Sequence, residues 1–140
     1  LNGNLSLKSF VVLMKSSKAI QERVKKDISN QDLKISEFTV LEALYSKGKQ
    51  TVRQISDAVL INSGSITYVI DKLEDKGLLE RKDCKEDRRV VYIQLTRLGK
   101  QFMDEIFPKH QLVIEEIFSE ITNKEKELLI GLLKRVGKKE

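Results

Sequence analysis

With 140 residues, 40% hydrophobic and 34% charged, the chain is long enough for one domain with a real core and a well-solvated surface. No apolar run approaches the ~20 residues that span a bilayer, no signal-peptide pattern is present, and the single cysteine excludes an internal disulfide or a cysteine-rich metal site. A net charge of +5 favours polyanionic partners, but residues 62–97 carry eight basic against seven acidic side chains, so charge alone does not single out a nucleic-acid reader.

Residues 6–29 follow helical spacing, with Phe10, Leu13, Met14, Ile20, Val24 and Ile28 on one face. Residues 31–35 read as a connection. Ser36 is placed to cap a second helix, in which Phe38, Leu41, Leu44 and Tyr45 recur at helical spacing up to Gly48. Thr51 to Gln54 is a T-x-x-Q capping box opening a short third helix with Val52, Ile55 and Val59 inward. After a turn from Leu60 to Gly64, Ile66, Val69, Ile70 and Leu73 predict a fourth amphipathic helix. Asn62 or Ser63 can cap its start, and Gly77 stands where a left-handed C-terminal cap belongs. Helices three and four have helix-turn-helix proportions.

Leu79, and then Val91, Ile93 and Leu95 at period two, read as two strands around a stretch from Arg81 to Arg89 too polar for a core. A helix followed by a charged hairpin suggests a reader of double-stranded DNA, helix in the major groove and hairpin in the minor. Thr96 caps a fifth helix through Leu98, Phe102 and Ile106, which Pro108 is expected to kink or split. The pattern resumes with Leu112, Val113, Ile117, Phe118 and Ile121. A second capping box, Thr122 to Glu125, opens a sixth helix striped by Leu128, Leu129, Leu132, Leu133 and Val136. Helices one, five and six carry more apolar surface than residues 36–97 can cover. The expected remedy is a two-fold dimer built from both termini, the alternative an intramolecular three-helix packing. The expected fold is therefore mainly α with a small β-hairpin wing: one domain over 1–140, with a winged helix-turn-helix core at 36–97 and dimerisation helices in 1–35 and 98–140.

SGSITYVIDKLEDKGLLER (63–81) resembles the recognition helix and first wing strand of the MarR family of winged-helix transcription regulators. Asp87, Arg88 and Arg89, with the VVYIQLTRLG run at 90–99, resemble that family's wing return and the start of its fifth helix. The resemblance covers nearly the whole chain. The wording of 63–74 and a cysteine just before the wing tip look most like the branch that answers quinones and related electrophiles. The resemblance implies a cytoplasmic, sequence-specific regulator, typically a repressor, that binds a palindromic operator as a homodimer. A small phenolic or quinone-like effector, or an oxidant, would release it by shifting the spacing of the two reading heads. A two-fold protein reads half-sites about one helical turn, ~34–36 Å, apart.

On the fourth helix, Ser63, Gly64, Ser65, Thr67 and Tyr68 stand where base edges are reached, Lys72 is better placed for phosphate, and Asp71 is expected to pair internally. Few of these are bidentate readers, so much of the specificity is expected from DNA shape. By the resemblance, Asp87 orients Arg89 into the minor groove, while Lys85 and Arg88 add phosphate contacts. Ser36 and Thr51 open helices whose N-termini can hold phosphates, plain capping being the simpler reading. Cys84 lies among Arg81, Lys82, Lys85 and Arg88, which favour thiolate, and Asp83, Glu86 and Asp87, which oppose it; it reads as an electrophile sensor or as an incidental exposed residue. The first-helix cysteine of the family's peroxide-sensing branch is absent. His110 has no companion ligands, so no metal site is expected; it lines a cavity near Pro108 or sits at a surface or interface. No nucleophile motif or glycine-rich phosphate loop is present, and neither catalysis nor a cofactor is expected. The competing reading is a winged-helix module that docks protein rather than DNA.

Overall fold

The computed structural model describes residues 3–60 and 64–138, and among them the chain forms six helices and one β-hairpin. In order these are α1 (Leu5–Ser29), α2 (Ile35–Lys47), α3 (Val52–Ala58), α4 (Ile66–Asp75), β1 (Leu79–Asp83), β2 (Val91–Leu95), α5 (Arg97–Ile117) and α6 (Asn123–Gly137). The core gathers Ile28 of α1, Leu41 of α2, Ile55 of α3, Ile70 and Leu73 of α4, Leu79 and Ile93 of the hairpin and Met103 of α5, all fully buried. Each comes from the apolar side of its element, so burial follows the spacing.

Local chemistry sets the element ends. In the α3 box the Thr51 hydroxyl accepts the Gln54 N–H at 3.2 Å, and the Gln54 side chain accepts the Thr51 N–H at 2.9 Å. The same reciprocal pair opens α6 at Thr122 and Glu125, and the Thr96 hydroxyl caps α5 at 3.0 Å. At the end of α4, Gly77 takes φ +77° while Leu78 N–H reaches the Leu73 carbonyl, the left-handed stop expected there. Two expected caps are displaced. Helix α2 starts two residues early, with Lys34 rather than Ser36 at the cap, because the Glu37 carboxylate reaches back to the Lys34 N–H at 3.1 Å. Helix α4 is capped by Ser65, whose hydroxyl accepts the Tyr68 N–H; Asn62 and Ser63 lie outside the described residues.

β1 and β2 pair antiparallel, with Leu79 opposite Leu95, Arg81 opposite Ile93 and Asp83 opposite Val91. Gln50 adds an isolated bridge on the far side of β2, exchanging backbone hydrogen bonds of 2.9 and 2.7 Å with Ile93, and its buried side-chain amide donates to the Ala43 carbonyl at 2.8 Å. The hairpin base is thus sewn to the α2–α3 connection.

Helix α5 runs unbroken through Pro108. Both Pro108 and Asp104 are exposed, so water can satisfy the Asp104 carbonyl that the proline leaves without a backbone donor. Its inward face holds Gly99, Met103 and Ile106, while Leu98 turns out to solvent, contrary to the expected stripe. Gly99 faces inward because the helix presses on the α4–β1 connection: a Cβ there would lie 1.9 Å from the Leu78 carbonyl oxygen. Helix α6 buries none of its side chains, and Leu5, Phe10 and Val12 of α1 are exposed with Leu128, Leu132 and Val136 of α6. The surplus apolar surface expected from the spacing is therefore present, and α6 does not close an intramolecular three-helix core.

Candidate nucleic-acid interface

Val69, Ile70 and Leu73 pin α4 to the core, which turns Thr67, Tyr68, Asp71 and Asp75 outward. Tyr68 is 59% exposed, and the Lys72 ammonium lies 5.3 Å from its ring centre, a cation–π contact that stiffens two long side chains on the outer face. Gly64 is exposed with φ +113°, a conformation that glycine alone adopts cheaply, directly before the Ser65 cap. The late start of α4 revises the expected first turn: Gly64 and Ser65 precede the helix, and the Ser65 hydroxyl accepts the Tyr68 N–H while keeping its own O–H to donate. Ser63 lies outside the described residues, so Thr67 and Tyr68 are the expected readers placed within the helix.

Asp71 pairs internally, as its position in the sequence leads one to expect, and the structure adds a second acid. The Arg81 guanidinium on β1 donates to Asp71 at 2.5 Å through Nη2 and to Glu74 through Nη1. The hydrogen bond to Asp71 and the charges of both carboxylates push its pKa further up, so it stays protonated. Glu74 was not singled out by sequence reasoning; an acidic pair at i, i+3 facing a strand arginine was the available signal.

At the hairpin tip, Cys84 N–H bonds the Val90 carbonyl and Val90 N–H bonds the Asp87 carbonyl, both at 3.0 Å. The Asp87 carboxylate accepts the Arg89 backbone N–H at 3.0 Å and its Nε at 3.1 Å. These bonds from Arg89 hold the Asp87 carboxyl below the usual range. The Arg89 side chain is 91% exposed, so it is aimed by Asp87 and otherwise free for a partner. Lys85 and Arg88 are exposed beside it. Cys84 is half-buried, and Arg81, one of the cations expected around its thiol, is committed to Asp71 and Glu74 instead.

Two polar groups behind this face escaped sequence reasoning or took another place. Glu37 is buried, yet it meets the Lys76 ammonium at the end of α4 at 2.5 Å. Burial pushes its carboxyl up, but Lys76, the Lys34 N–H and both lysine charges outweigh that and leave it lowered. His110 does not sit on the open surface: its ring lies 4.7 Å from that of Phe38 and 5.8 Å from that of Phe107, in the α2–α5 contact. Burial lowers its basicity, against an opposing pull from Glu42 and Asp27. Its Nδ1 and the Asp27 Oδ2 are buried without hydrogen-bond partners. Among the described residues, no three His, Cys, Asp or Glu side chains gather as metal ligands, and no helix is long and apolar enough to cross a membrane.

A short helix, a turn, an outward-facing second helix and a charged antiparallel hairpin define a winged helix-turn-helix protein, the class of DNA-binding transcription regulators. The family model for the MarR family matches residues 33–91. The HTH-type transcriptional regulator MhqR of Bacillus subtilis is 46% identical over 132 residues, covering 94% of this chain and 91% of that protein. The chain belongs to the MarR family. Its fold matches that of Sco3205, a MarR family regulator from Streptomyces coelicolor solved in complex with DNA, with a TM-score of 0.81 at 15% identity over 94% of this chain and 84% of that one. It also matches Bordetella bronchiseptica BpsR, described with regulation of its DNA binding by 6-hydroxynicotinic acid, with a TM-score of 0.78 at 22% identity over 93% of this chain and 98% of that one.

Proposed function

We propose that this regulator binds a palindromic operator as a homodimer, represses from it, and leaves it when a small phenolic or quinone-like molecule is bound. The observation that carries this reading is Arg89, oriented by Asp87 at the wing tip and 91% exposed, on the hairpin that follows the outward Thr67 and Tyr68 of α4. A narrow minor groove concentrates negative potential and rewards an inserted guanidinium. Ser63, Gly64, Ser65, Thr67 and Tyr68 would meet the major groove, and Lys72, Lys85 and Arg88 the phosphates. The exposed stripes of α1 and α6 support a second copy of the chain as their cover, with residues 36–97 of each copy as the reading head of a single domain over 1–140. The protein acts in the cytoplasm and carries out no catalysis.

The test is fluorescence anisotropy on a labelled duplex carrying the protein's own upstream region, at low and high salt, beside random DNA. Tight, sequence-dependent binding that Arg89→Ala weakens by about 1–3 kcal/mol is expected. If no duplex binds better than random DNA, the operator reading fails and α4 becomes a protein-docking face. Adding a quinone to wild type and to Cys84→Ser assigns the effector: release in wild type alone makes the thiol the sensor, and release in both points to a non-covalent site.

A further inference from the structure

We infer that Arg81 is a positioning residue, which clamps the wing to α4 through Asp71 and Glu74 and so sets where Arg89 meets DNA relative to Thr67 and Tyr68. The inference rests on the DNA-reading role proposed above. Three observations carry it.

The first is how the hairpin is attached. Its base is anchored by Leu78, Leu79 and Ile93 in the core and by the Gln50 bridge. Outward along β1 from Arg81, Lys82 and Asp83 are exposed, so Arg81 is the last β1 side chain that the helix holds.

The second is the geometry of the hold. One guanidinium spans two carboxylates on neighbouring turns of α4, Asp71 at 2.5 Å from Nη2 and Glu74 on Nη1. A planar fork with donors in fixed directions fixes an angle, which a lysine ammonium cannot do.

The third is the energetic context. Asp71 and Glu74 are 58% and 40% exposed, and ion pairs that wet contribute little to folding stability. Two acids on the outer half of a helix that faces phosphate also oppose binding by charge alone. Their presence is explained when their work is to hold Arg81.

These points give a test with opposite signs. Asp71→Asn combined with Glu74→Gln removes two negative charges beside the DNA. Charge alone would tighten binding to every duplex. The clamp instead predicts a fall of about tenfold in the ratio of operator to random-DNA affinity, the cost of a misplaced specific contact. It also predicts coupling between residues that share no hydrogen bond: Arg89→Ala, which costs about tenfold or more on operator in the intact protein, costs less than about threefold once the clamp is open. Arg81→Gln serves as a second route to the open clamp, and Arg81→Lys, which keeps the charge, is expected to behave like it. Thermal unfolding is followed for every variant.

Affinities for operator and random DNA that rise together, with the Arg89→Ala penalty unchanged, would overturn the inference in favour of simple repulsion. Equal losses on both duplexes that track a lowered melting temperature would overturn it in favour of a structural role. A folded wild type with no operator preference would remove the DNA-reading role itself, a result distinct from either.

Discussion

The buried Glu37–Lys76 pair sets up an asymmetry that can be measured. Glu37 is 3% exposed and accepts both the Lys76 ammonium at 2.5 Å and the Lys34 N–H at 3.1 Å, whereas the Lys76 side chain is half exposed. Removing one partner of a fully buried pair costs about 3–5 kcal/mol, and removing one from a surface pair costs about 0–1 kcal/mol. Lys76→Met strands a carboxylate in the core edge with one backbone donor, so a cost of about 2 kcal/mol is expected, between these limits. Glu37→Gln leaves the lysine free to swing into water and keeps an oxygen for the Lys34 N–H, so its cost should be nearer 1 kcal/mol. The double variant should recover much of the Lys76→Met loss, because no buried charge remains. For a chain of this size 2 kcal/mol corresponds to roughly 4–8 °C in melting temperature. The pH dependence follows from the lowered carboxyl. A carboxyl depressed in the folded state contributes its full stability above its unfolded value, about 4.3, and loses it as pH falls through the folded value. The gap between wild type and Glu37→Gln should therefore be constant from pH 6 to 8 and close below about pH 4. Scanning calorimetry across that range decides it. A Lys76→Met protein that melts with wild type, or a Glu37→Gln loss larger than that of Lys76→Met, would refute the reasoning.

Three further outcomes are expected. Gly99→Ala forces a methyl against the Leu78 backbone carbonyl, so it should cost about 1–3 kcal/mol by chemical denaturation while Leu98→Ala, at an exposed site, costs little. His110 has a lowered basicity in the folded chain, so the unfolded chain binds the proton first; wild type should lose stability as pH falls from about 6.5, and His110→Phe should flatten that slope in melting curves. Leu128→Glu with Leu132→Glu places charge on the α6 stripe, and a smaller mass by light scattering, with unfolding that becomes independent of protein concentration, is the result expected if that stripe joins two copies.

The elements of this fold were legible where one residue type carries the decision. Threonine three places before Gln54 or Glu125, glycine after Lys76, and alternating Val91, Ile93 and Leu95 each have a local physical reason, and each stands where that reason puts it. The misreadings lie where a distant partner decides. Ser36 looked like the cap of α2 because of its hydroxyl, yet the Glu37 carboxylate, turned inward toward Lys76, reaches the Lys34 N–H first. Leu98 looked inward by spacing, but the close approach of α5 to Leu78 leaves room only for Gly99 on that side. Gln50 gave no strand signal because a one-residue bridge has no period. Of the two outcomes expected at Pro108, a kink or a split, the split does not occur: α5 continues as one element, and Asp104, whose carbonyl the proline leaves without a backbone donor, lies at an exposed position.

The charge of residues 62–97 shows why the candidate DNA face was harder to judge from composition. Eight basic against seven acidic side chains reads as nearly neutral, but the acids are not equally available. Asp71 and Glu74 share Arg81, Glu80 accepts from Gln94 and lies 3.7 Å from Lys82, and Asp87 is turned onto the Arg89 backbone N–H and Nε. Lys76 is drawn to Glu37, outside the segment. Among the described residues Lys72, Lys85 and Arg88 form no ion pair, and Arg89 keeps its exposed tip although it is paired. Pairing leaves the net charge of the segment as counted, but it distributes it: four of the seven acids are held against neighbouring side chains, while the exposed cations Lys85, Arg88 and the Arg89 tip stand together at the wing where a phosphate backbone would meet them. The salt-dependence slope is expected to follow the number of these phosphate contacts rather than the net charge of +1, and its decline by about one on Arg88→Ala would mark a single contact.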